Sequence, residues 1–163
     1  NDLLMVAVVS VITDTFKMLG RKTPSVEELK VWVNENPQVW DLFAKGYTLG
    51  LNQTEKRTST QRIMKLKPKN VVELTTFVAA IRPGGKSLSD DFINRKLHKY
   101  GIPSMDKLLK MNGATGVTGE SSYLFFDEDI LTLAEAAGID AGDAVTLIKS
   151  IKKKISWWIT NMF

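Results

Sequence analysis

The chain has 163 residues and 18.2 kDa, and Lys+Arg 22 against Asp+Glu 18 leaves a net charge of +4 with a pI near 9.2. Hydrophobic residues at 44% and charged residues at 25% are ordinary globular values, which excludes a disordered tail or a collagen-like fibre. With no Cys and a single His, His98, disulfide scaffolds, thiolate metal sites, cysteine nucleophiles and His-rich zinc sites are excluded, and no apolar run is long enough to span a bilayer.

The opening run Leu3–Ile12 is rich in β-branched residues. It predicts a buried strand running into a helix that ends at Leu19-Gly20, where glycine supplies a left-handed cap. Ser25 is placed to cap a helix from Val26, with Glu27 and Glu28 favourable in its first turn. Pro37 opens another short helix that Gly46 closes, and Thr48–Gln53 reads as extended. Glu55–Leu66 predicts a weak helix. Val71–Ile81 predicts a strong buried one, capped by Asn70, with Val72, Leu74, Phe77, Val78 and Ile81 near a 3.6 period. Arg82-Pro83-Gly84-Gly85 breaks it. Further helices are predicted over Asp90–Tyr100, Ser104–Met111 with Ser104 as cap, Phe126–Ala137 and Gly142–Ile155, and Asn112–Gly119 must be loop. The fold class is therefore mainly α, an irregular helical arrangement with few short strands. His98 is expected on a helix surface. Trp32, Trp40, Trp157 and Trp158 are expected in core or interdomain packing, and both chain ends look like cuts through a larger protein.

Charge is unevenly spread. Glu55 to Lys69 holds six bases against one acid, Arg82 to Lys110 seven against three, and Met111 to Ile148 seven acids with no Lys or Arg; Lys149, Lys152, Lys153 and Lys154 follow. Any one cluster is equally well a solvated helix face, but three in one chain favour a nucleic-acid or nucleotide-phosphate partner. Ala137-Gly138-Ile139, followed by Ala144, Val145 and Ile148, resembles a phosphate-holding helix–hairpin–helix, and an ordinary αα-hairpin explains it as well.

The order of these pieces carries a resemblance over essentially the whole chain. Phe43-Ala44-Lys45-Gly46-Tyr47-Thr48-Leu49-Gly50, Leu66-Lys67-Pro68 with Val72-Glu73-Leu74, Ala79-Ala80-Ile81-Arg82-Pro83-Gly84 and Asp91-Phe92-Ile93-Asn94-Arg95-Lys96 follow one another at the spacing of one family. Glu128-Asp129-Ile130, Ala137-Gly138-Ile139, Ala144 and Ile148-Lys149-Ser150-Ile151-Lys152-Lys153 complete the series. The sequence resembles the C-family replicative DNA polymerases, the bacterial polymerase III alpha subunits, at the end of the palm and the fingers.

The resemblance implies an end-of-palm element over 1–20 and a helical fingers domain over 21–163. It implies a fragment that binds deoxynucleoside triphosphate and DNA primer-template and joins the remainder of the polymerase palm and thumb. It also implies Mg²⁺ in the complete enzyme, and a cytoplasmic place in a bacterial or phage-infected cell with no membrane contact. Asp2 would be the third metal-binding, catalytic aspartate of the palm, although Met5 stands where the family has glycine and no base precedes Asp2. Arg82, Gly84, Gly85, Lys86, Lys149, Lys152 and Lys153 would hold phosphate. The last three stand where much of the family carries arginine, so bidentate recognition is lost. Arg57, Arg62, Lys65, Arg95 and Lys96 are the DNA-binding candidates, with Arg95 and Lys96 equally suited to solvent or salt bridges. Nucleotidyl transfer needs two ions held by facing carboxylates, so one aspartate predicts an inactive isolated chain. The alternative is a non-enzymatic helical adaptor, derived from polymerase fingers, that binds DNA or protein.

Overall fold

The computed structural model describes residues 7–82 and 86–150, with residues 7, 8, 86 and 87 described in their backbone alone. The described residues are helical with turns and no strand; one isolated antiparallel bridge joins Lys110 to Ser122. The elements are α1 Ala7–Met18, α2 Val26–Glu35, α3 Gln38–Ala44, α4 Arg57–Leu66 and α5 Val71–Ala80. They continue with α6 Lys86–Ile93, α7 Pro103–Leu108, α8 Gly116–Gly119 and α9 Asp127–Ala136. A further helix, α10, covers 141–150.

The core lies where α3, α4, α5 and α6 meet. Trp40 and Phe43 from α3, Ile63 and Leu66 from α4, Phe77 and Ala80 from α5, and Phe92 and Ile93 from α6 are all buried. Phe92 meets Tyr123 and Phe125 edge to face at 5.4 and 5.7 Å, which extends the core under the 121–125 segment. The caps follow the sequence closely. The Ser25 hydroxyl accepts from the Glu28 amide and the Glu28 carboxylate accepts from the Ser25 amide, a capping box. Asn70 caps α5 through Glu73. At Gly20 (φ +66°) the Arg21 amide donates to the Phe16 carbonyl and the Gly20 amide to Lys17, so α1 ends in a Schellman motif.

Several expectations are corrected. The described part of the opening run is helix rather than buried strand: Val9 and Val11 are exposed, and β-branched composition does not decide between the two when no neighbouring chain offers a ladder. Residues 48–53 are turns, not extended, because Leu51 N–H donates to Thr48 and Thr54 N–H to Leu51. The helix expected over Asp90–Tyr100 lies earlier, at Lys86–Ile93, and ends when Arg95 takes φ +53°. Residue 102, not Ser104, caps α7, with Pro103 at its first position. The Asn112–Gly119 loop contains the short turn α8.

His98 is not a surface helix residue. It sits in irregular chain between Tyr123, stacked at 5.2 Å, and Tyr100, edge-on at 5.0 Å, with its Nε2 buried and without a hydrogen-bond partner among the described residues. Trp40 is core, stacked on Phe43, whereas Trp32 is half exposed and touches Phe16 of α1 at 6.4 Å. Trp157 and Trp158 lie outside the described residues.

Candidate nucleic-acid interface

The cations divide into those spent inside the fold and those left on its surface. Arg95 is the extreme of the first kind. It occupies the left-handed position after α6, where the Lys96 amide donates to Asp91 and the Arg95 amide to Phe92. A non-glycine residue there costs about 1–2 kcal/mol. The side chain offsets it: Nε donates to the Leu66 carbonyl at 2.9 Å and Nη2 to the Lys67 carbonyl at 2.8 Å. Nη1 and Nη2 also grip the Glu73 carboxylate at 3.0 and 2.8 Å, a bidentate pair. The guanidinium thereby satisfies the carbonyls at the α4 terminus, where Lys67 is itself left-handed at φ +51°.

Glu73 is fully buried on the inner face of α5. Beyond Arg95, its carboxylate accepts from the Lys69 amide at 2.9 Å and from the Thr115 amide and hydroxyl at 3.2 and 3.0 Å, with the Thr118 hydroxyl at 2.7 Å. Burial alone would raise its pKa; the hydrogen bonds from Arg95, Thr118 and the Lys69 amide, with the Arg95 charge, outweigh it and hold the carboxyl at about 2. Glu73 thus ties together the α4–α5 link, the end of α6 and the turn at α8. Sequence reasoning missed this role, and Thr115 and Thr118 with it. The available signal was a carboxylate set among Val71, Val72, Leu74 and Phe77, where an apolar residue would fit the pattern.

Two of the other DNA-binding candidates pair at the surface. Arg62 meets Asp90 at 2.7 Å and also donates to Ser89, and Lys96 meets Asp91 at 2.8 Å. The Asp91 hydrogen bond and charge raise the Lys96 pKa. Arg57 and Lys65 form no ion pair among the described residues and are exposed. With Gln61 between them at four-residue steps, they make one outer stripe of α4, opposite the buried Ser59, Ile63 and Leu66. Lys56, Lys67 and Lys69 continue this basic surface at the two ends of the helix.

Of the phosphate-site candidates, Arg82 is exposed just past the C-cap of α5, where a cation complements the helix dipole. It borders a shallow hollow of about 330 Å³ with Leu74, Val78 and Phe126. Lys86 begins α6 and Lys149 is exposed on α10. Asp2, Gly84, Gly85, Lys152 and Lys153 lie outside the described residues. At the hairpin between α9 and α10, Gly138 (φ +77°) closes α9. The Asp140 carboxylate accepts from the amides of Gly142 and Asp143, so these first amides of α10 already have an anionic partner. That arrangement favours the ordinary αα-hairpin over a phosphate hairpin. A second hollow of about 240 Å³ lies between α5, α7 and the 123–126 segment, with Thr76, Met111, Tyr123 and Asp129 on its wall.

Among the described residues no group of three or more His, Asp or Glu is placed to hold a metal ion. No helix among them is long and apolar enough to cross a membrane.

The model of the bacterial DNA polymerase III alpha subunit finger domain matches residues 8–161. The chain is 31% identical over 127 residues to a DNA polymerase III subunit alpha of Aquifex aeolicus, covering 74% of this chain and 10% of that protein. It is 27% identical over 121 residues to the DNA polymerase III subunit alpha of Streptococcus pyogenes, covering 74% of this chain and 11% of that protein. It is also 24% identical over 159 residues to an error-prone DNA polymerase of Teredinibacter turnerae, covering 92% of this chain and 14% of that protein. The chain therefore spans about a tenth of the length of these curated relatives. No solved structure matches it.

Proposed function

The chain belongs to the finger-domain family of bacterial DNA polymerase III alpha subunits, and from that premise we propose that it handles nucleic acid and nucleotide phosphate for a C-family polymerase. The observation that carries this reading is the outer stripe of α4. Arg57 and Lys65 are exposed and lack an ion-pair partner among the described residues, in a fold that pairs Arg62 and Arg95 with its own carboxylates. Cations left unpaired along one face suit the phosphate track of a DNA strand, where neutralising each phosphate releases counterions.

In this proposal Arg57 and Lys65 contact the DNA backbone directly. Arg62 and Lys96 join by exchanging Asp90 and Asp91 for phosphate, a change that costs little because exposed pairs contribute only about 0–1 kcal/mol. Arg95 we assign to the scaffold rather than to DNA. The turn from Arg82 through Gly84 and Gly85 to Lys86 is proposed as the triphosphate site, supported by Arg82 at one end and the start of α6 at the other, since a helix N-terminus favours an anion. Lys149, Lys152 and Lys153 are proposed as a further phosphate contact, and residues 1–20 as the end of the palm.

The complete polymerase is proposed to use Mg²⁺, to work on primer-template in the bacterial cytoplasm, and to join these fingers to palm and thumb. Two-ion chemistry needs facing carboxylates, and Asp2 alone does not fit that requirement. This chain's own contribution is positioning: cations and backbone amides aimed at phosphate. Pure 163-residue chain is accordingly expected to give no templated extension with Mg²⁺ and a primed template. In the longer enzyme Asp2→Asn is expected to abolish extension; normal extension would remove Asp2 from the site.

The direct test is a fluorescence titration of primed DNA at 50 and 200 mM salt. With about four phosphate contacts, each worth roughly 0.7–0.9 in slope, affinity should fall on the order of a hundredfold. Changing Lys149, Lys152 and Lys153 to Ala should lower the slope only by the further contact assigned to them, roughly 0.7–0.9. A salt-independent titration would remove the phosphate reading and leave the protein-binding adaptor.

A further inference from the structure

We propose that the 46–54 loop is a base-stacking element, in which Tyr47 and Leu49 press on unpaired bases of a single strand while the neighbouring cations hold its phosphates. This rests on the nucleic-acid reading given above and adds residues to which that reading assigns no role.

The loop is fixed from within. Gly46 (φ +79°) ends α3 with the Tyr47 amide donating to the Leu42 carbonyl. The buried Thr48 hydroxyl lies 2.8 Å from the Thr60 hydroxyl of α4, which in turn donates to the Thr54 carbonyl at 3.0 Å. A side chain at position 46 would meet Met64 Sδ at 2.7 Å, so the loop lies close against the Met64 side chain of α4. A loop tied down in this way would ordinarily tuck in its apolar residues. Here Leu49 is 95% exposed and Tyr47 65% exposed.

Charge identifies what these side chains face. Thr60 and Met64, against which the loop rests, lie three and seven residues after Arg57, on the same side of α4. Exposed Lys45 stands just before the loop, and exposed Glu55, Lys56 and Arg57 follow it, three cations against one acid. An exposed ring and an exposed leucine on a rigid support, bracketed by cations, are what sequence-tolerant single-strand binding requires: a basic track for phosphate and a platform for base faces. A protein-docking surface would need the apolar patch but not the surrounding positive charge. Preorganisation also means that no loop entropy is lost when a strand arrives.

The experiment uses the 163-residue chain, titrated with a thymidine oligonucleotide and with an abasic oligonucleotide of equal length and charge. The wild type is expected to bind the thymidine strand between about fivefold and a hundredfold more tightly than the abasic one, the range that stacking of one base gives. Y47S combined with L49S should bring thymidine binding down to the abasic level while leaving abasic binding and the thermal midpoint unchanged. If the double variant binds thymidine as the wild type does, the loop proposal is overturned and the nucleic-acid reading survives. If the wild type binds both strands equally, the outcome is the same. If the wild type binds neither, the nucleic-acid reading fails and the loop proposal fails with it.

Discussion

Arg95 and Arg57 are the same amino acid put to opposite uses. Arg95 accepts a strained backbone and gives its whole guanidinium to Glu73 and two carbonyls, leaving little charge for a ligand. Arg57 begins α4, faces solvent and forms no ion pair among the described residues. Local positive charge in the sequence therefore does not mark a nucleic-acid surface by itself. The informative quantity is the charge left over after the fold has satisfied its own carboxylates and helix ends. The Glu73 hub and the outer stripe of α4 are the two ends of that division, and each can be broken separately.

The largest effect belongs to the hub. Removing one partner of a buried pair leaves the other uncompensated, so Glu73→Ala and Arg95→Ala should each cost about 3–5 kcal/mol in urea unfolding near neutral pH. On a domain of ordinary stability that is a large fraction of the total. A loss below 1 kcal/mol from either would show that the hub does not hold the α4–α6 centre together.

A related effect follows from acid. Glu73 has its carboxyl lowered from 4.5 to about 2 in the folded state, so its stabilisation is complete above about pH 4.5 and is lost as pH falls through about 2. That difference is worth about 3 kcal/mol. Glu73→Gln should flatten the stability curve across this window, measured by unfolding at a series of pH values; an unchanged slope would place the acid sensitivity elsewhere. At the other end of the scale, burial pushes the Tyr123 hydroxyl up to about 12, so the stability that goes with its neutral form persists below pH 10 and is lost as pH rises through about 12.

The stripe should behave in the reverse way. Arg57→Ala with Lys65→Ala is expected to change stability by less than about 0.5 kcal/mol, as exposed substitutions do. The Arg62–Asp90 pair, half open to solvent, should be comparably weak: a double-mutant cycle should give about 0–1 kcal/mol.

How much of this was legible in the sequence depends on which interactions are local. Caps are local, and Ser25, Asn70, Gly20 and Gly46 were readable because their partners lie within a few residues. The helical character of 57–66, 71–80 and 127–136 was readable from periodicity for the same reason. The resemblance motifs identified the family, since their order survives where no single motif is decisive. Long-range pairing was not readable. Nothing near Glu73 in the chain indicates Arg95, Thr115 or Thr118, and the early end of α6 depends on that same arginine adopting φ +53°. The described part of the opening run, from residue 7, is helix rather than strand because β-branched residues favour strands chiefly where they fit a half-buried sheet surface. Tyr47 and Leu49 stood inside a recognised motif, but their exposure is visible only in three dimensions.

The central claim is that leftover charge, not total charge, makes the DNA surface. The measurement that tests it most directly is the salt slope of primed-DNA binding for the wild type and for the Arg57→Ala, Lys65→Ala double variant. The account predicts a slope smaller by roughly 1.4–1.8, two contacts at 0.7–0.9 each, with the unfolding midpoint unmoved. An unchanged slope in a folded double variant would contradict it.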